Sequence, residues 1–142
     1  MTLSRREMIE QVVAAVASWQ GVESAPHRFG GVEWRLGRVE IGHAHTFGLV
    51  DIPYTRAIRD VLIEQGRAEP HHILPETGWI SFYVNEEADI ERAIWLARLS
   101  YIHKGLRRLP GVDFEALIEP LDPGEELRAL LARPRREAAD EG

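Results

Sequence analysis

The 142-residue chain contains no cysteine, which removes disulfides, thiolate metal sites and cysteine nucleophiles together. It also lacks any excess of positive charge: 17 Lys and Arg stand against 23 Asp and Glu, a formal net charge of −6. That balance argues against a nucleic-acid partner held by phosphate neutralisation. Basic residues gather only locally, at Arg5-Arg6, Lys104 to Arg108 and Arg133 to Arg136. No apolar run reaches the length of a membrane span, and Met1 to Glu7 carries no apolar signal-peptide stretch, so the expected location is cytoplasmic with no membrane partner. Two catalytic signatures are missing as well. There is no G-x-S-x-G elbow, and Gly30-Gly31 lacks the spacing of a dinucleotide fingerprint, so no flavin or nucleotide motif is present.

What remains is an ordinary globular composition, 44% hydrophobic and 28% charged, enough for one domain with its own core. Ser4 and Glu7 form a capping box for a helix from about Ser4 to Gln20, striped by Ile9, Val12, Val13, Val16 and Trp19. Val22 to Pro26 reads as connection. Alternation from Val32 to Leu36, a Gly37-Arg38 turn and alternation from Val39 to His43 predict a hairpin. Its regular register sets Trp34 against Ile41, Val32 against His43, and Arg35 against Glu40 on the opposite face. A strand over about Gly48–Ile52, a helix over about Tyr54–Gln65, an apolar strand over Gly78–Val84 and a helix over about Glu86–Lys104 follow. Asp122-Pro123-Gly124-Glu125 predicts a final helix over about 123–133, which must dock on the body or on a partner. The order is α-β-β-β-α-β-α-α, an α+β fold with a mostly antiparallel sheet of about four strands and helices on one face. One domain is expected over 1–133, with a core at about 26–101 and a disordered tail over 134–142.

The unusual chemistry lies between Pro26 and Val84. Gly42-His43-Ala44-His45 places two imidazoles on one face of a strand, and His71-His72 follows in a loop between Pro70 and Pro75. Histidine titrates near neutrality and is the commonest metal ligand. The regular register puts His43 in the core layer beside Val32, with His45 freer to meet a ligand, so His45 leads the catalytic candidates, followed by His43, His71 and Asp51. Two site readings use these residues. In one, Arg28, His43, His45, His71 and His72 donate to a small polar or anionic ligand against a wall of Trp79 and Phe29, with a histidine oriented by Asp51 or Glu40 as general base. In the other, His43, His45 and His71 hold a divalent metal, with Asp51 a fourth ligand only if a bulge turns it. A third reading makes the histidines structural and gives the helices to homo-oligomerisation or partner docking.

His27-Arg28-Phe29-Gly30-Gly31-Val32-Glu33-Trp34, Glu40-Ile41-Gly42-His43-Ala44-His45, Leu49-Val50-Asp51-Ile52-Pro53, His71-His72 and Gly78-Trp79 together resemble a family of small prokaryotic proteins labelled luciferase domain-containing. That family's function is unknown and its label is no guide to chemistry, since flavin-dependent luciferases are (β/α)₈ barrels of about 250 residues. A weaker architectural likeness, through the Gly-Trp strand and Ser100-Tyr101, is to YjbR/MmcQ-like proteins, which are suspected of DNA binding.

Overall fold

A computed structural model describes residues 2–27, 30–106 and 108–133. Arg28, Phe29 and the 134–142 tail therefore lie outside the described residues. Helix α1 (Arg5–Ala17) opens on the expected capping box, in which Ser4 Oγ accepts from Glu7 N–H and the Glu7 carboxylate accepts from Ser4 N–H. The strands are β1 (Glu23–Pro26), β2 (Val32–Leu36), β3 (Val39–His45), β4 (Leu49–Pro53), β5 (Glu69–Pro70) and β6 (Trp79–Tyr83). They form one sheet in the order β1-β2-β3-β4-β6-β5, every pair antiparallel. The α+β class is as expected, with six strands in place of about four. The two added strands, β1 and β5, are the sheet's edges; they are fully exposed and each ends in a proline. Proline is tolerated at an edge because its missing N–H costs no ladder bond there.

Helices α2 (Arg56–Glu64), α3 (Ala88–Gly105), α4 (Phe114–Ile118) and α5 (Glu125–Ala132) join α1 on one face of the sheet. The core lies between these layers, with Trp34, Ile41, Val50, Ile52 and Ile80 from the sheet meeting Val12, Ile58, Leu96 and Leu99. No described helix is long and apolar enough to cross a membrane. The last helix docks on its own body, burying Leu127 and Leu131. It begins two residues later than the Asp122-Pro123 signal predicts. Asp122 adopts a left-handed φ of 45°, and Gly124 caps the helix without a side-chain bond.

The largest departure from expectation is in the β2–β3 hairpin. Leu36 meets Val39 and Arg35 meets Glu40, as the turn predicts, but the register then slips: Trp34 faces Gly42, Glu33 faces His43 and Val32 faces Ala44. Ile41 is the extra residue of a β-bulge, and one added residue exchanges the two faces of everything after it. Gly42 makes the bulge fit, since a Cβ there would lie 2.9 Å from the Asp51 carbonyl oxygen and 3.1 Å from Ile52 Cγ1. The Ile41 carbonyl is taken up by Ser100 Oγ on α3 at 2.8 Å, and Lys104 Nζ donates to that same hydroxyl at 2.6 Å. Gly42→Ala is accordingly expected to cost about 1–3 kcal/mol of stability through overpacking, read as a lower midpoint in urea unfolding. A midpoint equal to that of the parent would show that the close approach is not constraining.

Candidate functional site

The bulge sends His43 and His45 to the open face of the sheet, away from the helices. The expected placement of His43 in the core layer beside Val32, Trp34 and Ile41 is thereby overturned. Asp51 already projects to the open face from β4, opposite His43 in the β3–β4 ladder, and Ser81 stands opposite Asp51 on β6. It is thus the histidines that turn to meet Asp51, not Asp51 that turns to meet them. His71 and His72 come over from the loop between β5 and β6, where His72 N–H donates to Ser81 Oγ at 3.1 Å.

Asp51 is the centre. Its side chain is 1% exposed, yet it faces four imidazoles: His45 Nε2 and His72 Nε2 at 3.1 Å and His43 Nε2 at 3.3 Å from Oδ2, and His71 Nε2 at 3.6 Å from Oδ1. Ser81 Oγ donates to Oδ1 at 2.7 Å. The expected split between a buried His43 and a freer His45 does not occur, because both rings close on one carboxylate oxygen and their side chains are 10% and 14% exposed. His27, which the sequence reading did not select as a site residue, stacks on His43 with ring centroids 4.0 Å apart. Trp79 lies half-buried at 5.4 Å from the His43 ring and 5.8 Å from the His71 ring. Arg28, proposed from the sequence as a ligand-binding residue, is outside the described residues.

The hydrogen bonds assign tautomers. Glu40, expected to pair across the strands with Arg35, instead accepts from His43 Nδ1 at 2.7 Å, while Arg35 turns to Glu33 and the Arg38 carbonyl. His43 therefore carries a proton on Nδ1, and its Nε2 faces Asp51 either as a lone pair or as a second N–H. His71 is the reverse. Its Nδ1 accepts from the backbone N–H groups of Leu74 at 3.0 Å and Ile73 at 3.2 Å, so its ring proton is on Nε2, facing Asp51.

Charge follows from these contacts. Burial opposes protonation of His43, but hydrogen bonds and charge from Asp51 and Glu40 outweigh it and lift the pKa to about 9. Burial also opposes ionisation of Asp51, yet His43, Ser81, His71 and His72 hold its carboxyl well below the usual range. Burial and the neighbouring imidazoles push His45 and His71 down, in spite of Asp51. The cluster thus holds one imidazole that keeps its proton beside two that shed theirs, the separation expected when titratable groups share a site. Two groups of ligand atoms lie within 4.8 Å of one another around Asp51: His43-His45-Asp51 and Asp51-His71-His72.

The rim is apolar. Among the described residues the exposed large hydrophobic ones are Phe47, Ile73, Leu74 and Tyr83. Phe47 stacks on His45 at 5.2 Å, Ile73 and Leu74 hold His71 through their N–H groups, and Tyr83 pairs with Leu49, the ladder partner of His45.

No curated protein and no solved structure matches the chain. The likeness to YjbR/MmcQ-like proteins has no support from these comparisons. Residues 38–100 match the family model described as Luciferase domain, which bears out the main resemblance: the chain is similar to luciferase domain-containing proteins over the stretch that holds Glu40, His43, His45, Asp51, His71, His72 and Trp79.

Proposed function

We propose that the cluster is a divalent-metal centre with His43 Nε2, His45 Nε2 and Asp51 Oδ2 as ligands and a remaining position open to a bound ligand. The observation that carries this is the convergence of His43 Nε2 and His45 Nε2 on the buried Asp51 Oδ2 at 3.3 and 3.1 Å, within one group of ligand atoms. His72 Nε2 is a third nitrogen on that oxygen at 3.1 Å but outside the group. One oxygen offers two lone pairs, so three N–H donors oversubscribe it. A cation held by His43, His45 and Asp51 takes two of these nitrogens as ligands and leaves His72 to donate to the carboxylate. In a tetrahedral site with bonds of about 2.0–2.1 Å, neighbouring ligand atoms stand about 3.3–3.4 Å apart, close to the separations from Oδ2. The Glu40 carboxylate on His43 Nδ1 is the outer-shell partner that fixes a metal-binding imidazole and raises its basicity. His71, with its proton on Nε2, stands beside the ligand carboxylate as a donor.

Two imidazoles and a carboxylate suit zinc and its first-row neighbours better than calcium or magnesium. The chemistry supplied is that of a Lewis acid: polarising a coordinated oxygen or lowering the pKa of a bound water. The polar or anionic ligand expected from the sequence then binds to the metal. A free anion would meet the Asp51 carboxylate, whereas a metal-bound one is compensated. The apolar rim of Phe47, Ile73 and Tyr83 suits a ligand with an apolar portion beside its coordinating group.

Elemental analysis of protein prepared without a histidine tag is expected to give about one transition metal per chain. Chelation should lower the melting temperature and zinc should restore it, because metal at 100 to 1,000 times its Kd stabilises by about 3–4 kcal/mol. A metal content near zero, with melting unmoved by added Zn²⁺, Mn²⁺, Fe²⁺ or Ni²⁺, sinks the proposal.

A further inference from the structure

A cleft opens on the helical side of the molecule, away from the histidines. It lies between the end of α2, the outer face of α3 and the 3₁₀ turn Glu119–Leu121, has a volume of about 670 Å³, and is lined among others by Trp19, Arg67, Phe82, Trp95, Arg98 and Leu121. That volume is within the range of small-molecule sites, about 300–1,000 Å³. The Arg67 guanidinium lies over the Trp95 ring at 4.1 Å, and Arg98 lies over Trp19 at 4.5 Å and Tyr101 at 5.3 Å.

Stacking holds each guanidinium by its flat face and leaves its N–H edge to bind something else. Among the described residues neither Arg67 nor Arg98 meets a carboxylate. Arg67 donates only to the Gln65 side-chain oxygen, and Arg98 makes no hydrogen bond to protein. The other charged residues of the lining do not fill that role. Arg92 is engaged with Asp89 at 2.9 Å and Glu86 at 3.8 Å, and Glu91 pairs with neither stacked arginine. In a chain carrying a net charge of −6, the lining sets two stacked arginines without carboxylate partners, Arg67 and Arg98, against one glutamate, Glu91, and is locally positive. Arg98 is half-buried, and burial lowers its pKa, as expected of a cation that lacks a counter-ion.

We infer that this cleft binds an organic anion, a carboxylate or phosphate carried on a flat apolar body, with Arg67 and Arg98 taking the acid group and Trp19, Trp95 and Phe82 the body. The probes are 2-naphthoate, phenyl phosphate and the neutral 2-naphthamide, titrated against the intact ¹⁵N-labelled chain. The indole N–H signals of Trp19 and Trp95 are expected to shift with at least one anion while those of Trp34 and Trp79 stay in place. The amide should bind at least about tenfold more weakly than naphthoate, the worth of one charge-assisted hydrogen-bond pair. Comparing naphthoate with phenyl phosphate identifies the preferred acid. Arg67→Gln and Arg98→Gln should each weaken the anion about tenfold and leave the amide unchanged, with Arg128→Gln as the surface control. Equal affinity for acid and amide in the parent protein overturns the inference without recourse to any variant. So does an absence of binding by both anions at millimolar concentration, or undiminished binding in a folded double variant.

Discussion

Asp51→Asn is expected to empty the metal centre, weakening metal binding by at least about 100-fold, the upper end of what outer-shell changes alone cause. The asparagine keeps the shape and can still bond Ser81, but it no longer brings a negative oxygen to the point where His43, His45 and His72 converge. The same substitution should destabilise the metal-free protein. Asp51 is buried with its charge compensated by imidazoles, and removing one partner of a buried pair costs about 3 kcal/mol or more because the other charge is left behind. For a chain of this length that is roughly a 10 °C fall in melting temperature. Two measurements separate the effects: metal content at saturation, and melting in the presence of chelator. If Asp51→Asn retained one metal per chain at parental affinity, the assignment of Oδ2 as a ligand would be wrong. If chelated parent and variant melted together, Asp51 would not organise the cluster.

The helices and the hairpin turn were legible because each rests on a local signal. The Ser4/Glu7 capping box, the stripe of α1 and the Gly37-Arg38 turn all involve residues within a few positions of one another. The edge strands were hidden for the opposite reason. Glu23-Ser24-Ala25-Pro26 and Glu69-Pro70 are exposed on both faces, so they show no hydrophobic alternation, and backbone pairing alone defines them. The short helix at Phe114–Ile118 was also missed, although Asp113 caps it through a bond from Ala116 N–H at 3.1 Å. The site was half legible. Spacing and residue chemistry selected His43, His45, His71, His72, Asp51 and Trp79, which the fold brings together, but the route to that assembly was misread. Val39, Ile41 and His43 alternate regularly, and a period-2 pattern cannot reveal that one residue has been looped out. A signal was present in Gly42, because an isolated glycine within a strand pattern marks a bulge or a close backbone approach. Taken as a bulge, it would have put the histidines on the face of Asp51 and brought His43 round to the side of Glu40. His27 carried no such mark, since its contact with His43 spans two strands.

In chelated protein, His43 should make the fold lose stability as pH rises from about 6.5 to about 9. The sign follows from its pKa, about 9 in the fold against the ordinary histidine value of 6.5. Below 6.5 the ring is protonated in both folded and unfolded chains, and the attraction to Asp51 and Glu40 is fully present. Between 6.5 and 9 the unfolded chain releases the proton while the folded one retains it, so the advantage declines, and above 9 it is gone. Its size is bounded by the shift, about 3 kcal/mol at about 1.4 kcal/mol per pKa unit, and the side chain's 10% exposure limits solvent screening. His45 and His71 act in the opposite sense. Their lowered values mean that the unfolded chain takes up protons first, so they withdraw stability as pH falls below 6.5. The metal-free fold should therefore be most stable near pH 6–7. In urea unfolding, the advantage of the parent over His43→Gln should shrink steadily between pH 6.5 and 9. Metal reverses the slope: it replaces the proton on His43 Nε2, so its affinity rises through that same window with release of a proton, seen by calorimetry in buffers of different ionisation enthalpy. An advantage over His43→Gln that does not change with pH would mean that His43 keeps an ordinary pKa and that the Glu40–His43–Asp51 chain is not charged. Pairing of that chain with a pH-independent metal affinity would place the ion elsewhere than on His43.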